Sequence, residues 1–242
     1  MKSHDTALIT ALITALITAL ILAPIASDGW SQENRTDTAE SPHEKWESAI
    51  EEFQQQERSL PSPQNGILFI GSSSIRKWDL AKDFPEQPVI NRGFGGSQIA
   101  DSTFFAPRIV TPLHPRVVVL YAGDNDLAAG LTPTQVLTDF QAFVARVRAD
   151  LPHTKIVFIA IKPSISRWHL VANVREANQL IWTWIQSQKN LGYVNIDPAM
   201  LAENGRPNPD LFAPDGLHLS RQGYEIWTRL LRPHLPNTAT QR

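Results

Sequence analysis

Ile67-Leu68-Phe69-Ile70-Gly71-Ser72-Ser73-Ser74 decides the fold. Four consecutive apolar residues, too few for a helix and bounded by Gly and Ser, read as a strand buried on both faces. Val117-Val118-Val119-Leu120-Tyr121 and Ile156-Val157-Phe158-Ile159-Ala160-Ile161 repeat the pattern, and Val89-Ile90 and Tyr193-Val194-Asn195-Ile196 are shorter versions. Between these runs lie amphipathic segments. Thr132-Pro133 opens a helix with Val136, Phe140, Val144 and Val147 on one face; Val174, Ala177, Ile181 and Trp184 share a face in the next. Ser220 caps a last helix carrying Tyr224, Trp227 and Leu231. An earlier helix starts at Ser41-Pro42, with Ser41 as N-cap, and shows Trp46, Ile50 and Phe53 on one side before Pro61 and Pro63 stop it. Alternation of strand and helix predicts an α/β fold: a three-layer α/β/α sandwich around a five-stranded parallel sheet, flavodoxin-like in plan.

The chain has 242 residues, 42% of them hydrophobic and 19% charged, enough for one globular domain. A formal net charge of -2 gives no basic footprint for nucleic acid. Cysteine is absent, which removes disulfides, thiol catalysis and thiolate metal sites.

The N-terminus differs from the rest. Ala7-Leu8-Ile9-Thr10 recurs at residues 11–14 and 15–18, and the run ends in small residues at Ala23, Ala26 and Ser27. Residues 1–27 read as a signal peptide cleaved after Ala26 or Ser27, or as an anchor over residues 7–26, close to the ~20 residues that cross a bilayer. Either outcome puts the domain outside the cytoplasm, periplasmic or secreted, with membrane contact only if the segment is retained. Residues 28–40 are a polar linker, 41–236 the domain and 237–242 a tail.

In a parallel sheet the functional loops follow the C-terminal strand ends. Strand one runs into Gly71-Ser72-Ser73-Ser74, strand two into Asn91-Arg92-Gly93-Phe94-Gly95-Gly96, and strand three into Gly123-Asp124-Asn125-Asp126; Asp215-Gly216-Leu217-His218 precedes the last helix. Together they offer what acyl transfer needs: a hydroxyl, a base, a carboxylate to orient it, and donors for an oxyanion. Each segment also has a plain reading, Gly-Ser-Ser as a turn and Asn125 or Asp215 as a cap. Their joint occurrence, in order and at strand ends, favours the chemical one.

These four segments resemble the sequence blocks of the SGNH hydrolases, the GDSL-like lipases and acylhydrolases, over about residues 66–231. Ser72 stands where the family's usual Gly-Asp-Ser has aspartate. The resemblance implies Ser73 as nucleophile, His218 as base and Asp215 as its orienting carboxylate. It further implies an oxyanion hole from the Ser73 amide, the Gly96 amide and the Asn125 side chain. The implied activity is a serine esterase with no cofactor and no metal; expected export favours short-acyl oxygen esters, the substrate being a small molecule or a carbohydrate or lipid ester. Trp78, Phe94 and Trp168 are candidate substrate-pocket residues, with Arg76, Arg92 and Arg167 nearby.

Three other readings compete. A metal-dependent hydrolase would use Asp124, Asp126, Asp215 and His218. A dinucleotide site is suggested by Gly93-x-Gly95, but the third glycine position is Gln98. A non-catalytic glycan-binding domain would share the fold.

Overall fold

The computed structural model describes residues 41–236; the expected signal or anchor at 1–27, linker at 28–40 and tail at 237–242 lie outside the described residues. Five strands form one parallel sheet: β1 (Ile67–Gly71), β2 (Val89–Gly93), β3 (Val117–Tyr121), β4 (Lys155–Ile159) and β5 (Leu191–Val194), in the order β2-β1-β3-β4-β5. The helices are α1 (Glu47–Ser59), α2 (Ser73–Arg76), α3 (Leu80–Asp83), α4 (Ile99–Ile109), α5 (Asp124–Ala128), α6 (Pro133–Asp150), α7 (Val171–Gln186) and α8 (Arg221–Leu231).

Because successive strand residues point to opposite faces, each all-apolar run feeds two cores. Leu68, Ile70, Val118, Leu120, Ile156 and Phe158 pack with Ile50 of α1, Phe105 of α4, Phe140 of α6 and Ile181 of α7. Ile67, Phe69, Val119, Tyr121, Val157 and Ile159 pack with Ile75, Leu80, Tyr224, Trp227 and Leu231 on the other face. That is the three-layer arrangement expected from the sequence.

Local signals act as read at two helices. Thr132 and Gln135 form a reciprocal capping box ahead of α6, with Pro133 at its first position. The Ser220 hydroxyl accepts from the Gly223 amide at the head of α8. The N-terminal helix departs from expectation. Ser41 only stabilises a turn, accepting from the His43 amide; a 3-10 turn over Glu44–Trp46 follows, and α1 begins at Glu47. Strand four ends at Ile159, although Ala160 and Ile161 continue it as buried chain.

The strand order sets the position of the site. From β1 the chain moves to β2 on one side and then to β3 on the other, so the loops after β1 and β3 diverge and open a crevice. Gly71 closes β1 with φ +132, where a Cβ would lie 1.9 Å from the Tyr121 carbonyl oxygen. Only glycine allows the Ser72 amide to reach that oxygen, at 3.0 Å, and turn the chain into α2.

Candidate active site

Ser73 is the first residue of α2, at the mouth of the crevice. Its two serine neighbours are turned away: Ser72 and Ser74 are both 1% exposed. Ser74 is held inside by Tyr224, whose hydroxyl donates to its carbonyl at 2.9 Å. Asn91 of β2 braces the same turn, donating to the Ile75 carbonyl at 2.8 Å. Of the three adjacent serines, Ser73 therefore presents its hydroxyl to the crevice.

His218 meets it there, with Nε2 3.0 Å from Ser73 Oγ. On the other side of the ring, Nδ1 lies 2.5 Å from Asp215 Oδ2. Asp215 uses both carboxylate oxygens. Its Oδ1 accepts the Leu217 and His218 amides, each at 2.9 Å, closing a tight turn, while Oδ2 orients the imidazole. The hydrogen bond from the His218 ring, then the two backbone amides, hold the Asp215 carboxyl well below its ordinary value. It is thus an ionised acceptor at neutral pH.

The remaining candidate donors lie on the loops beside Ser73. Gly96 adopts φ +77, a left-handed backbone that favours glycine, with Trp46 against it: a Cβ there would meet the indole at 3.3 Å. The Trp46 turn is itself pinned, because the His43 ring lies 2.6 Å from Asp101 at the head of α4. Among the described residues, the Ser73 and Gly96 amides donate to no protein acceptor. Asn125, at the start of α5, donates one Nδ2 hydrogen to the Ser97 carbonyl at 2.9 Å and keeps the second free. These groups can stabilise negative charge on an oxygen near Ser73.

Other expected site residues are placed elsewhere. Trp78 and Phe94, read as pocket walls, are core residues at 3% and 1% exposure. Trp78 makes edge-on and tilted contacts with Phe69, Phe84 and Trp227 and donates to buried Asp83 at 2.8 Å; Phe94 packs on Trp46 and Phe105. Their hydrophobic area explains the burial: Phe94 joins the core on one face of the sheet and Trp78 the core on the other. Trp168 is half-buried, with the guanidinium groups of Arg175 and Arg206 over its ring. Arg92 turns away to Glu57, at 2.8 Å.

The four residues of the metal reading do not converge. Asp124 pairs with Lys162, Asp126 accepts the Ile99 amide at 3.0 Å, and Asp215 is committed to His218. Among the described residues, no group of three or more His, Cys, Asp or Glu is placed to hold a metal ion.

Sequence reasoning missed Lys162. Its side chain is buried just past β4, and Nζ reaches Asp124 Oδ2 and the Tyr121 hydroxyl at 2.8 Å each and Ser74 Oγ at 3.3 Å. Arg167 was noted only as a nearby charge. It donates to Asn125 Oδ1 at 3.0 Å and approaches Asp124 to 3.3 Å. A lysine directly after an apolar strand was the available signal.

A sequence model of the GDSL-like Lipase/Acylhydrolase family matches residues 71–226, well over half of the chain. The chain belongs to this family. The fold agrees. A Streptococcus pneumonia protein whose structure is named for a platelet activating factor superposes with a TM-score of 0.71 at 21% identity, over 78% of this chain and 92% of that one. A GDSL-like lipase from Bacteroides thetaiotaomicron gives 0.66 at 20% identity, over 76% and 96%. A carbohydrate esterase family 3 protein from Talaromyces cellulolyticus gives 0.57 at 20% identity, over 69% and 94%. No curated protein matches the sequence. At these identities the likeness speaks for the fold of this GDSL-like acylhydrolase family member, and the chemistry has to be argued from its own residues.

Proposed function

We propose that this GDSL-like family member is a serine esterase that cleaves carboxylic esters through Ser73, His218 and Asp215. The observation that carries the reading is the unbroken line from Asp215 through both ring nitrogens of His218 to Ser73 Oγ, at 2.5 and 3.0 Å. In the reaction, Ser73 Oγ attacks the ester carbonyl carbon while His218 Nε2 takes its proton. The carbonyl oxygen becomes an oxyanion and receives the Ser73 amide, the Gly96 amide and the free Nδ2 hydrogen of Asn125. Collapse expels the alcohol, which takes the proton from His218. Water then attacks the acyl-enzyme, with His218 again as base, and the carboxylic acid leaves. Asp215 holds the ring in the tautomer that can accept from Ser73 and stabilises the imidazolium formed.

The substrate is a short-acyl oxygen ester, on a small molecule or on a carbohydrate or lipid. Two structural neighbours bear names of that kind, an acetyl esterase bound to acetate and a carbohydrate esterase. The enzyme is exported, on the strength of the apolar segment before residue 28. A panel of p-nitrophenyl esters of increasing acyl length, run beside acetylated sugars, tests the reading. Turnover that is highest on acetyl and falls with chain length supports it; no hydrolysis of any ester contradicts it.

A further inference from the structure

The Asn125 carboxamide has two partners that agree. Ser97 offers a carbonyl oxygen, an acceptor only, to Nδ2. Arg167 offers a guanidinium, a donor only, to Oδ1. Turning the amide over would set oxygen against oxygen on one side and N–H against N–H on the other. A single orientation satisfies both, and it leaves one Nδ2 hydrogen without an acceptor among the described residues.

Arg167 is itself held. Its guanidinium approaches Asp124, whose carboxylate is buried with Lys162. Burial alone would push the Asp124 carboxyl up; the Lys162 ammonium and the Arg167 charge outweigh it and bring it below its ordinary value. The three partners of Lys162 Nζ match the three donors of an ammonium. Asn178 fixes the chain just before Lys162 by exchanging both hydrogen bonds with the Ile161 backbone, at 2.8 and 2.9 Å. Beyond Lys162, the Ser166 amide donates to the Gly216 carbonyl at 3.1 Å, and the Trp168 ring carries the guanidinium groups of Arg175 and Arg206. The segment from Lys162 to Trp168 is therefore a strap. It touches the loop of the base at Gly216 and the oxyanion side at Asn125.

We propose that Arg167, seated by the Lys162–Asp124 ion pair, is a positioning residue that fixes and polarises the Asn125 carboxamide for oxyanion binding. The inference rests on the esterase reading above. Donation from a charged guanidinium into Oδ1 draws electron density from the amide nitrogen, so the remaining N–H becomes a stronger donor where charge develops. The effect belongs to the transition state and should appear in kcat. Lys162 acts one step further back. Removing it would leave a buried carboxylate short of its main partner and endanger the fold, so Arg167, partly exposed, is the residue to vary.

The test is a double-mutant cycle in the full chain with p-nitrophenyl acetate: wild type, Arg167→Met, Asn125→Ala and the double variant, with Arg167→Lys as the conservative change. Asn125→Ala should cost ~10²–10³ in kcat, as loss of one oxyanion donor does elsewhere. Arg167→Met should cost about tenfold in kcat with KM within about twofold, and the double variant should fall no lower than Asn125→Ala alone. Arg167→Lys should recover part of the loss, because an ammonium can donate to Oδ1 but lacks the planar fork. If the methionine variant fails to fold, the lysine variant must still show a loss confined to kcat. Losses that multiply in the double variant, or an unchanged kcat in Arg167→Met, would overturn the proposal while leaving the esterase reading intact. Wild type without ester hydrolysis would overturn that reading and this one with it.

Discussion

Asp126 should make the protein less stable as pH rises from about 4 to about 7, and the size of the effect follows from its surroundings. The side chain is 0% exposed. Its Oδ1 accepts the Ile99 amide at 3.0 Å, tying α5 to the head of α4, while Oδ2 is buried with no hydrogen-bond partner among the described residues. Burial pushes the carboxyl from its ordinary 3.8 up to about 7, against the opposing pull of the Ile99 amide. Between those values the folded chain keeps a proton that the unfolded chain has released. Stability therefore falls with rising pH across that window and levels off above about 7. At about 1.4 kcal/mol per pH unit the full cost is about 4 kcal/mol, of which about 2–3 kcal/mol accrues between pH 5 and pH 8. Asn at this position has the shape of the protonated acid and does not titrate. Urea unfolding of wild type and Asp126→Asn at both pH values isolates the effect, because all other titrating groups are shared. The variant should gain about 2–3 kcal/mol on wild type between pH 5 and pH 8. A difference that stays constant between the two pH values, or moves the other way, would refute the reasoning.

Three further outcomes are expected. Asp215→Asn should lower kcat on p-nitrophenyl acetate by about 10³–10⁴, because the amide NH2 facing His218 Nδ1 favours the tautomer that cannot accept from Ser73; a tenth of wild-type activity remaining would contradict this. Gly93→Ala should destabilise by about 1–3 kcal/mol in urea unfolding and lower kcat, since its Cβ would stand 2.3 Å from the Arg76 amide nitrogen and displace the turn that carries Ser73. Trp78→Ala should cost about 3–5 kcal/mol of stability and leave KM within about twofold in whatever fraction folds, as suits a core residue; a KM effect without a stability loss would return Trp78 to the substrate pocket.

The architecture was legible because unbroken apolar runs and helical spacing carried it. The runs at Ile67 and Val117 are apolar at every position, and only a sheet covered on both faces buries such runs, so the strands followed from them. Thr132 and Ser220 marked helix starts through side chains that act locally. Ser41 misled, because the same hydroxyl closes a turn as readily as it caps a helix. At the site, Asp215 and His218 were legible as a pair because a three-residue spacing sets their geometry, and Ser73, 145 positions from His218, because its segment closes a strand of a parallel sheet, where functional loops gather. Trp78 and Phe94 were misplaced because proximity in sequence to a loop does not say which way a ring turns; burial of its area decides that. Lys162 was overlooked, and Arg167 noted without a role, for the opposite reason. Their meaning lies in partners 38 and 42 positions away in the chain, and no local pattern reports a contact of that separation.

Labelling the full-length enzyme with a serine-reactive fluorophosphonate, followed by peptide mass spectrometry, tests the central claim most directly. Of the three adjacent serines only Ser73 faces His218, while Ser72 and Ser74 are buried. A single stoichiometric adduct on Ser73, formed by Ser72→Ala and Ser74→Ala but lost in Ser73→Ala and strongly slowed in His218→Ala, is the result expected. An adduct on Ser72 or Ser74, or labelling of Ser73 at the wild-type rate without His218, would contradict the account.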